Sequence, residues 1–327
     1  MKKFQPALWN ENKTTRQELC VGAKGAQLRL DKFISRYLND FSRHEVQKLI
    51  WAGRVTVNGN IKKPAFQLRY GDLIIISRPE KIPFQNTPTP LALSVLYDDE
   101  WLVAVNKPPG MLMHPVFGNL THTVMNALAF HYQKKYPPPQ PVHRLDKDVS
   151  GVVLASKDKW TSRQMSTMFS ERRVQKTYLA LLEGMLHPAS GTIDQPIKIF
   201  KKGRTCLKSA RTQFRILKNF QNLTLAIFQP FTGRWHQIRQ HAQSMGCPIV
   251  GDKRYGCRSD HFHRPALHAS KIVFLHPILK DMKSIVAPLP EDFRLILTEL
   301  NRQTKIMKKT RGDIHENTVI TRSKNRN

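Results

Sequence analysis

The tightest constraint on this chain is a polar turn that runs straight into an unbroken apolar segment. Pro137, Pro138, Pro139 and Pro141 lead into Val142-His143-Arg144-Leu145-Asp146-Lys147-Asp148-Val149-Ser150-Gly151, and Val152-Val153-Leu154-Ala155 follows. A short apolar run bounded by proline and glycine reads as a buried strand entered from a turn. The turn presents Asp146 between two cations, Arg144 and Lys147, in a chain otherwise short of acid. Nearby cations favour the ionised carboxylate, which suits Asp146 to act as a nucleophile or base rather than as a proton donor. A turn aspartate in a local ion pair is the plainer alternative, and these residues alone leave both open.

Charge narrows the partner. The chain carries 53 Lys and Arg against 24 Asp and Glu, a net charge of +29 over 327 residues. That excess goes beyond what solubility needs and points to a polyanion, with nucleic acid as the expected one. No apolar run approaches the roughly eighteen residues of a spanning helix, and Met1-Lys2-Lys3-Phe4-Gln5 lacks the apolar core of a signal peptide. No membrane partner is expected, and a cytoplasmic location is. Cys20, Cys206, Cys247 and Cys257 form no CxxC pair. The spacing of Cys257, His261, His263 and His268 matches no common zinc pattern. Neither a GxxxxGK phosphate loop nor a GxGxxG turn occurs, so no nucleotide cofactor is expected.

The length allows one sizeable catalytic domain and a small module. Residues 1–27 are polar and lack sustained periodicity, which predicts an arm with modest structure at most. Leu30, Phe33, Ile34 and Leu38 fall at helical spacing. A second helix opens with the capping box Ser42-Arg43-His44-Glu45, buries Val46, Leu49 and Ile50, and stops at Gly53. Arg54-Val55-Thr56-Val57, the hairpin signal Asn58-Gly59 and a strand Leu73-Ile74-Ile75-Ile76 complete this unit. Arg29, Lys32, Arg36, Arg43, Lys48 and Arg54 lie on and around its helices, with Lys32 and Arg36 one turn apart, where both could follow one phosphate track. A solvated helix face would hold similar charges.

Pro79, Pro83, Pro88 and Pro90 mark residues 78–92 as a linker. Two strands follow, Ser94-Val95-Leu96-Tyr97 and Trp101-Leu102-Val103-Ala104-Val105, then the stiff turn Asn106-Lys107-Pro108-Pro109-Gly110. Helices are predicted over 121–131 and about 160–172, the second burying Trp160, Met165, Met168 and Phe169. Lys176-Thr177-Tyr178-Leu179-Ala180-Leu181 reads as a strand, and 209–217 pairs plausibly with 223–228. Thr232-Gly233-Arg234-Trp235-His236-Gln237-Ile238-Arg239-Gln240-His241 leads into a helix that stops at Gly246. A last helix spans roughly 291–301. Beyond it, residues 301–327 are rich in Lys and Arg, with Asp313 and Glu316 the acids, and read as a disordered tether to RNA.

Several of these stretches carry a resemblance. His143-Arg144-Leu145-Asp146 with Ser150-Gly151 resembles the signature loop of the RluA-type pseudouridine synthases, with Val149 where the family pattern usually has Thr. Asn106-Lys107-Pro108-Pro109-Gly110 and Lys176-Thr177-Tyr178 are similar to two further family signatures. Thr232-Gly233-Arg234-Trp235-His236-Gln237-Ile238-Arg239-Gln240-His241 matches a third at every fixed position. Pro248 to Gly256 and Leu267-His268-Ala269 match recurrent stretches near the cleft, with Ile249 and Val250 read as apolar packing beneath it. Residues 28–77 resemble the RNA-binding domain shared with small-subunit ribosomal protein four.

The resemblance covers about residues 28–300 and implies an α+β fold. Its catalytic domain, 93–300, has a mixed, mostly antiparallel sheet with flanking helices around a central cleft, and the helix-helix-hairpin RNA-binding domain, 28–77, precedes it. It implies an isomerase that converts uridine to pseudouridine in structured RNA. Large-subunit ribosomal RNA is the leading substrate and transfer RNA the second. Asp146 is the implied catalytic carboxylate, Tyr178 the base-stacking residue, and Arg239 the cation paired with Asp146. Arg144, Lys107, Lys176, Arg234 and His236 are expected to contact RNA. The reaction moves no electrons and releases no group, so it implies no metal or redox cofactor, and a monomer is expected. A non-catalytic RNA-binding assembly factor on the same fold is the rival reading. A metal-dependent nuclease would need clustered carboxylates that the chain lacks.

Overall fold

A computed structural model describes residues 9–38, 41, 43–81, 87–116, 119–133, 138–201, 204–256 and 262–306. The chain divides into two compact units, Met1–Gln85 and Asn86–Asn327.

The first unit contains β1 (Trp9–Cys20), α1 (Leu30–Ile34), α2 (Arg43–Trp51), β2 (Val55–Val57), β3 (Asn60–Ile61) and β4 (Leu73–Lys81). Its sheet runs β1-β4-β2-β3. Asn58 and Gly59 both take positive φ, as the tight β2–β3 turn requires. Leu30, Phe33 and Ile34 of α1 pack against Val46, Leu49 and Ile50 of α2 and Ile74 and Ile76 of β4, the core that the periodicity anticipated. Ser42 of the capping box lies outside the described residues.

One expectation fails here. The supposed arm contains β1, paired antiparallel with the full length of β4. Where its side chains are described, β1 is mostly exposed, with Gln17 and Leu19 partly covered. An edge strand needs a backbone partner more than an apolar face, so it left little hydrophobic signal. The same pairing carries β4 on to Lys81, past the point where the linker was expected to begin. Residues 82–86 lie outside the described residues.

The second unit contains β5 (Ser94–Asp98), β6 (Leu102–Lys107), α3 (Val124–Tyr132), β7 (Gln140–Pro141), β8 (Ser150–Ser156) and α4 (Lys159–Ser170). It continues with β9 (Gln175–Glu183), β10 (Ser190–Asp194), β11 (Ile197–Lys201), β12 (Arg204–Lys208), β13 (Arg211–Asn219) and β14 (Leu223–Pro230). Then come α5 (Gln237–Ser244), β15 (Leu267–Leu275), β16 (Met282–Val286) and a final helix over 291–306. The main sheet runs β10-β13-β14-β9-β15-β8-β6-β5, with β16 on β15 and β7 on β8. Every pairing is antiparallel except β15 with β8. The fold is thus α+β with a mixed, mostly antiparallel sheet, as the resemblance implied.

The unbroken apolar run is β8, buried at every position. Val153 and Ala155 join the core that holds Val124 and Leu128 of α3. Val152 and Leu154 join the one that holds Met165 and Met168 of α4. A strand covered on both faces has no polar side to alternate with. Met165 and Met168 are buried as expected, but Trp160 is 53% exposed, because it sits at the solvent-facing start of α4. The tail from 307 onward lies outside the described residues.

Candidate active site

The turn before β8 opens onto a cleft of about 510 Å³. Val149 N–H donates to the Asp146 carbonyl at 3.2 Å, closing the turn, and Val149 is buried beneath it. His143 anchors the approach: its Nε2 accepts the Leu154 N–H at 3.0 Å, and its ring lies against Phe169. Burial holds that imidazole down to about 3, so it is neutral and serves as an acceptor. On the far side, Gly151 has φ +118, and a Cβ there would fall 2.2 Å from the Ala269 carbonyl oxygen. Only glycine lets β8 and β15 approach this closely. Ser150 beside it exchanges a 2.9 Å hydrogen bond with the buried His268, which also reaches the Ala287 carbonyl at 3.2 Å.

Two cations brace the turn from behind. Lys107 was expected to touch RNA; it is instead fully buried and donates to the carbonyls of Pro108, Met111 and Lys147 at 2.7 to 2.9 Å. Three donors meeting three backbone acceptors is a structural clamp, and burial pushes the ammonium down to about 7. Arg264, which sequence reasoning missed, donates to the Asp148 carbonyl at 3.2 Å while its fork holds Asp292 at 2.6 and 2.9 Å. Each reaches the turn through a backbone carbonyl, a contact that no side-chain pattern records.

Asp146 faces the cleft with its side chain 22% exposed. Burial raises its carboxyl above the ordinary value, outweighing the opposing pull of Arg239, Arg144 and Lys107. Flanking cations alone had suggested the opposite direction; desolvation reverses it. Tyr178 reaches the same cleft from β9, and burial with the nearby Asp146 charge pushes its phenol well up. It therefore stays a neutral phenol that offers a ring face and a hydroxyl proton. Arg239 comes near Asp146, with Nη1 3.5 Å from Oδ2. Its Nε and Nη2 grip Asp252 at 2.6 and 2.8 Å. Asp252 is fully buried and also accepts the backbone N–H groups of Arg254 and Tyr255. Gly251 makes the seat possible, since a Cβ there would meet two carbonyl oxygens at 2.3 Å.

His236 takes left-handed backbone, φ 54, at the head of α5. Its Nε2 lies 3.0 Å from Arg239 Nη1 and its Nδ1 3.1 Å from Tyr255 Oη. A guanidinium can only donate, so Nε2 accepts and Nδ1–H donates to Tyr255. Burial and the surrounding arginines hold the ring down to about 3. The 3.5 Å approach of its Nε2 to Asp146 is therefore not an ion pair. Thr232 and Gln237 shape the loop before α5: Gln237 Oε1 accepts from Thr232 and from the Arg234 N–H, and its amide donates to Arg211 and Thr212. Ile249 and Val250 are buried beneath this assembly.

Arg144, Arg234 and Lys176 line the cleft. Arg234 also donates to the Ser209 carbonyl at 3.3 Å. In the first unit, Arg29 and Arg43 are both held by the buried Asp31, at 3.1 to 3.3 Å, with Gln47 adding a 2.5 Å bond. Lys32, Arg36, Arg43 and Lys48 are exposed and Arg54 partly so; Arg36 lies in the turn after α1 rather than on a continuing helix. Among the described residues, no three His, Cys, Asp or Glu side chains are grouped to hold a metal, and no helix is long and apolar enough to cross a membrane.

Comparison with known proteins agrees with this architecture. The RNA pseudouridylate synthase model matches residues 101–244, and the S4 domain model residues 28–74. An uncharacterized RNA pseudouridine synthase of Bacillus subtilis (strain 168), YlyB, is 36% identical over 286 residues, covering 84% of this chain and 94% of its own. The ribosomal large subunit pseudouridine synthase D of Vibrio cholerae is 31% identical over 314 residues, covering 88% and 97%. The solved structure of human RNA pseudouridylate synthase domain containing 4 superposes with a TM-score of 0.54 at 25% identity, covering 64% of this chain and 93% of that one. The chain belongs to the RNA pseudouridine synthases, a family of isomerases, and carries an S4 domain ahead of its synthase domain.

Proposed function

We propose that this synthase modifies uridines of large-subunit ribosomal RNA and that Asp146 is its reacting carboxylate. The observation that carries the second part is the charge pattern of the cleft: Asp146 is the one carboxylate among the described lining residues, facing Arg144, Lys176, Arg234 and Arg239. A site that only gripped phosphates would gain nothing from a desolvated acid at its centre.

The reaction breaks the N1–C1′ bond, turns the uracil within the pocket and joins C5 to C1′; the C5 proton leaves and N1 regains one. Glycosidic cleavage builds positive character on the ribose, and an ionised Asp146 beside C1′ can stabilise it, add to it, or take the C2′ proton. Arg239 supports the ionised form, and Tyr178, kept neutral, supplies a stacking face for the base. The target must leave its stack to enter such a cleft, which favours loops and bulges. The ribosomal assignment is supported by relatives named for the large subunit, with transfer RNA as the second substrate class.

A pseudouridine map of total RNA from cells lacking the protein, complemented with wild type or Asp146→Asn, tests both parts. Defined sites in large-subunit ribosomal RNA should regain modification with wild type alone. Sites regained only in transfer RNA would overturn the substrate; sites regained with the variant would overturn the carboxylate.

A further inference from the structure

Lys176 stands out among the cations of the cleft. Its side chain is half-buried, and among the described residues its ammonium has no carboxylate or carbonyl partner; its recorded neighbour is the Phe169 ring, 5.9 Å from Nζ. Arg239 has Asp252 and Arg264 has Asp292, and Lys107 has three carbonyls. The fold thus neutralises or caps these buried cations and leaves Lys176 bare. A desolvated charge without a counterion is costly, and burial alone lowers its pKa. The loop before α5 runs alongside it: a Cβ on Gly233 would make an ordinary 3.9 Å contact with Nζ.

Its place on the strand gives the bare charge a meaning. Lys176 and Tyr178 are two residues apart on β9, and both line the cleft. Side chains at i and i+2 share one face about 6.6 Å apart, comparable to the span from a pyrimidine ring to a phosphate on its own ribose. Asp146 lies close enough for its charge to raise the Tyr178 phenol.

Resting on the reading of Asp146 and Tyr178 given above, we infer that Lys176 binds a phosphodiester of the target nucleotide itself. The cleft thereby holds that nucleotide at three points: ribose at Asp146, base at Tyr178, phosphate at Lys176. Lys176 sets how far the base enters; the anchoring of the surrounding RNA falls to other cations.

The test uses the full chain and a stem-loop oligoribonucleotide carrying the mapped uridine, unmodified or with a neutral methylphosphonate at its 5′ or its 3′ linkage. Lys176→Met should lower single-turnover efficiency about ten- to hundredfold, the weight of one charged hydrogen bond, and Lys176→Arg should recover most of it. One methylphosphonate should impose a similar loss on wild type and almost none on Lys176→Met. Losses that multiply at both linkages would overturn the inference, as would a wild-type rate for Lys176→Met; the arginine variant covers misfolding of the methionine one. Asp146→Asn is run in parallel, in the same single-turnover assay and by filter binding, on the same three oligonucleotides. Activity in that variant would sink the catalytic reading, whereas the linkage pattern reports on Lys176 alone.

Discussion

Arg239 gives Nε and Nη2 to Asp252, at 2.6 and 2.8 Å, and turns Nη1, which also donates to His236, toward Asp146 at 3.5 Å. The buried carboxylate fixes the guanidinium, and the nitrogen that faces the cleft is shared between His236 and Asp146. Asp146 therefore faces a cation whose position does not depend on Asp146.

Asp146→Asn keeps the shape and removes the charge. Turnover should fall at least about a thousandfold, in line with the loss of a reacting group, while the thermal midpoint and RNA affinity change little. Single-turnover assays, melting and filter binding on one preparation check this; a collapse in affinity would recast Asp146 as a binding residue.

The pH profile should carry the mark of burial. On the proposed role of an ionised Asp146, the rate should be full above its pKa and fall as pH drops through it. Because burial raises that carboxyl, the acid limb should lie above the usual carboxylate value of about 4. Arg239→Gln removes an opposing influence and should move the limb to higher pH. A limb that moved downward would contradict the pairing.

Asp252→Asn leaves Arg239 half-buried with its main partner uncharged. Breaking a buried pair from one side costs on the order of 3 kcal/mol, measurable by urea denaturation. The rate should drop more than the affinity, since the variant loosens a positioning contact rather than an RNA contact.

Gly151→Ala should be among the most damaging single changes. The new Cβ would press on the Ala269 carbonyl from a strained φ, at about 3 kcal/mol or more. Poor soluble yield and a lowered urea midpoint are expected, and an unperturbed midpoint would show that β15 can retreat.

In the first unit, Asp31 is the group to titrate. Its hydrogen bonds to Arg29, Arg43 and Gln47 overcome burial and hold its carboxyl down to about 2. A depressed carboxyl lends stability above its unfolded value of about 3.9 and loses it as pH falls toward the folded one. The protection of α1 and α2 amides, taken relative to their intrinsic exchange at each pH, should fall between about pH 4 and pH 2. Asp31→Asn should remove that dependence and, by releasing two arginines, weaken RNA binding.

Much of the site was legible because its chemistry is contiguous in the chain. The turn carrying Asp146, the Lys176–Tyr178 pair and the run from Thr232 to His241 each announce themselves within a dozen residues. What stayed hidden acts across the chain. Asp252 lies thirteen residues from the arginine it holds, and Lys107 clamps a carbonyl forty residues away, where a stiff proline turn had suggested an RNA contact. The hairpin of β11 and β12 was missed because its inward face is short: Ile197 is buried and Ile199 partly covered, while Phe200 and Leu207 are exposed. β1 was missed for a related reason, being held by backbone pairing at an edge.

Strand β15 lies between β8 and β9, with Ala269 in register with both Gly151 and Tyr178. Two interstrand steps, about 9.6 Å, therefore separate the backbone that carries the Asp146 turn from the one that carries Tyr178. This spacing is gauged by peptide geometry, which side-chain changes away from the Gly151–Ala269 contact scarcely alter. The span between the Asp146 turn and the Tyr178 strand is thus a fixed dimension of the scaffold, and differences in RNA preference should be sought at the mouth of the cleft.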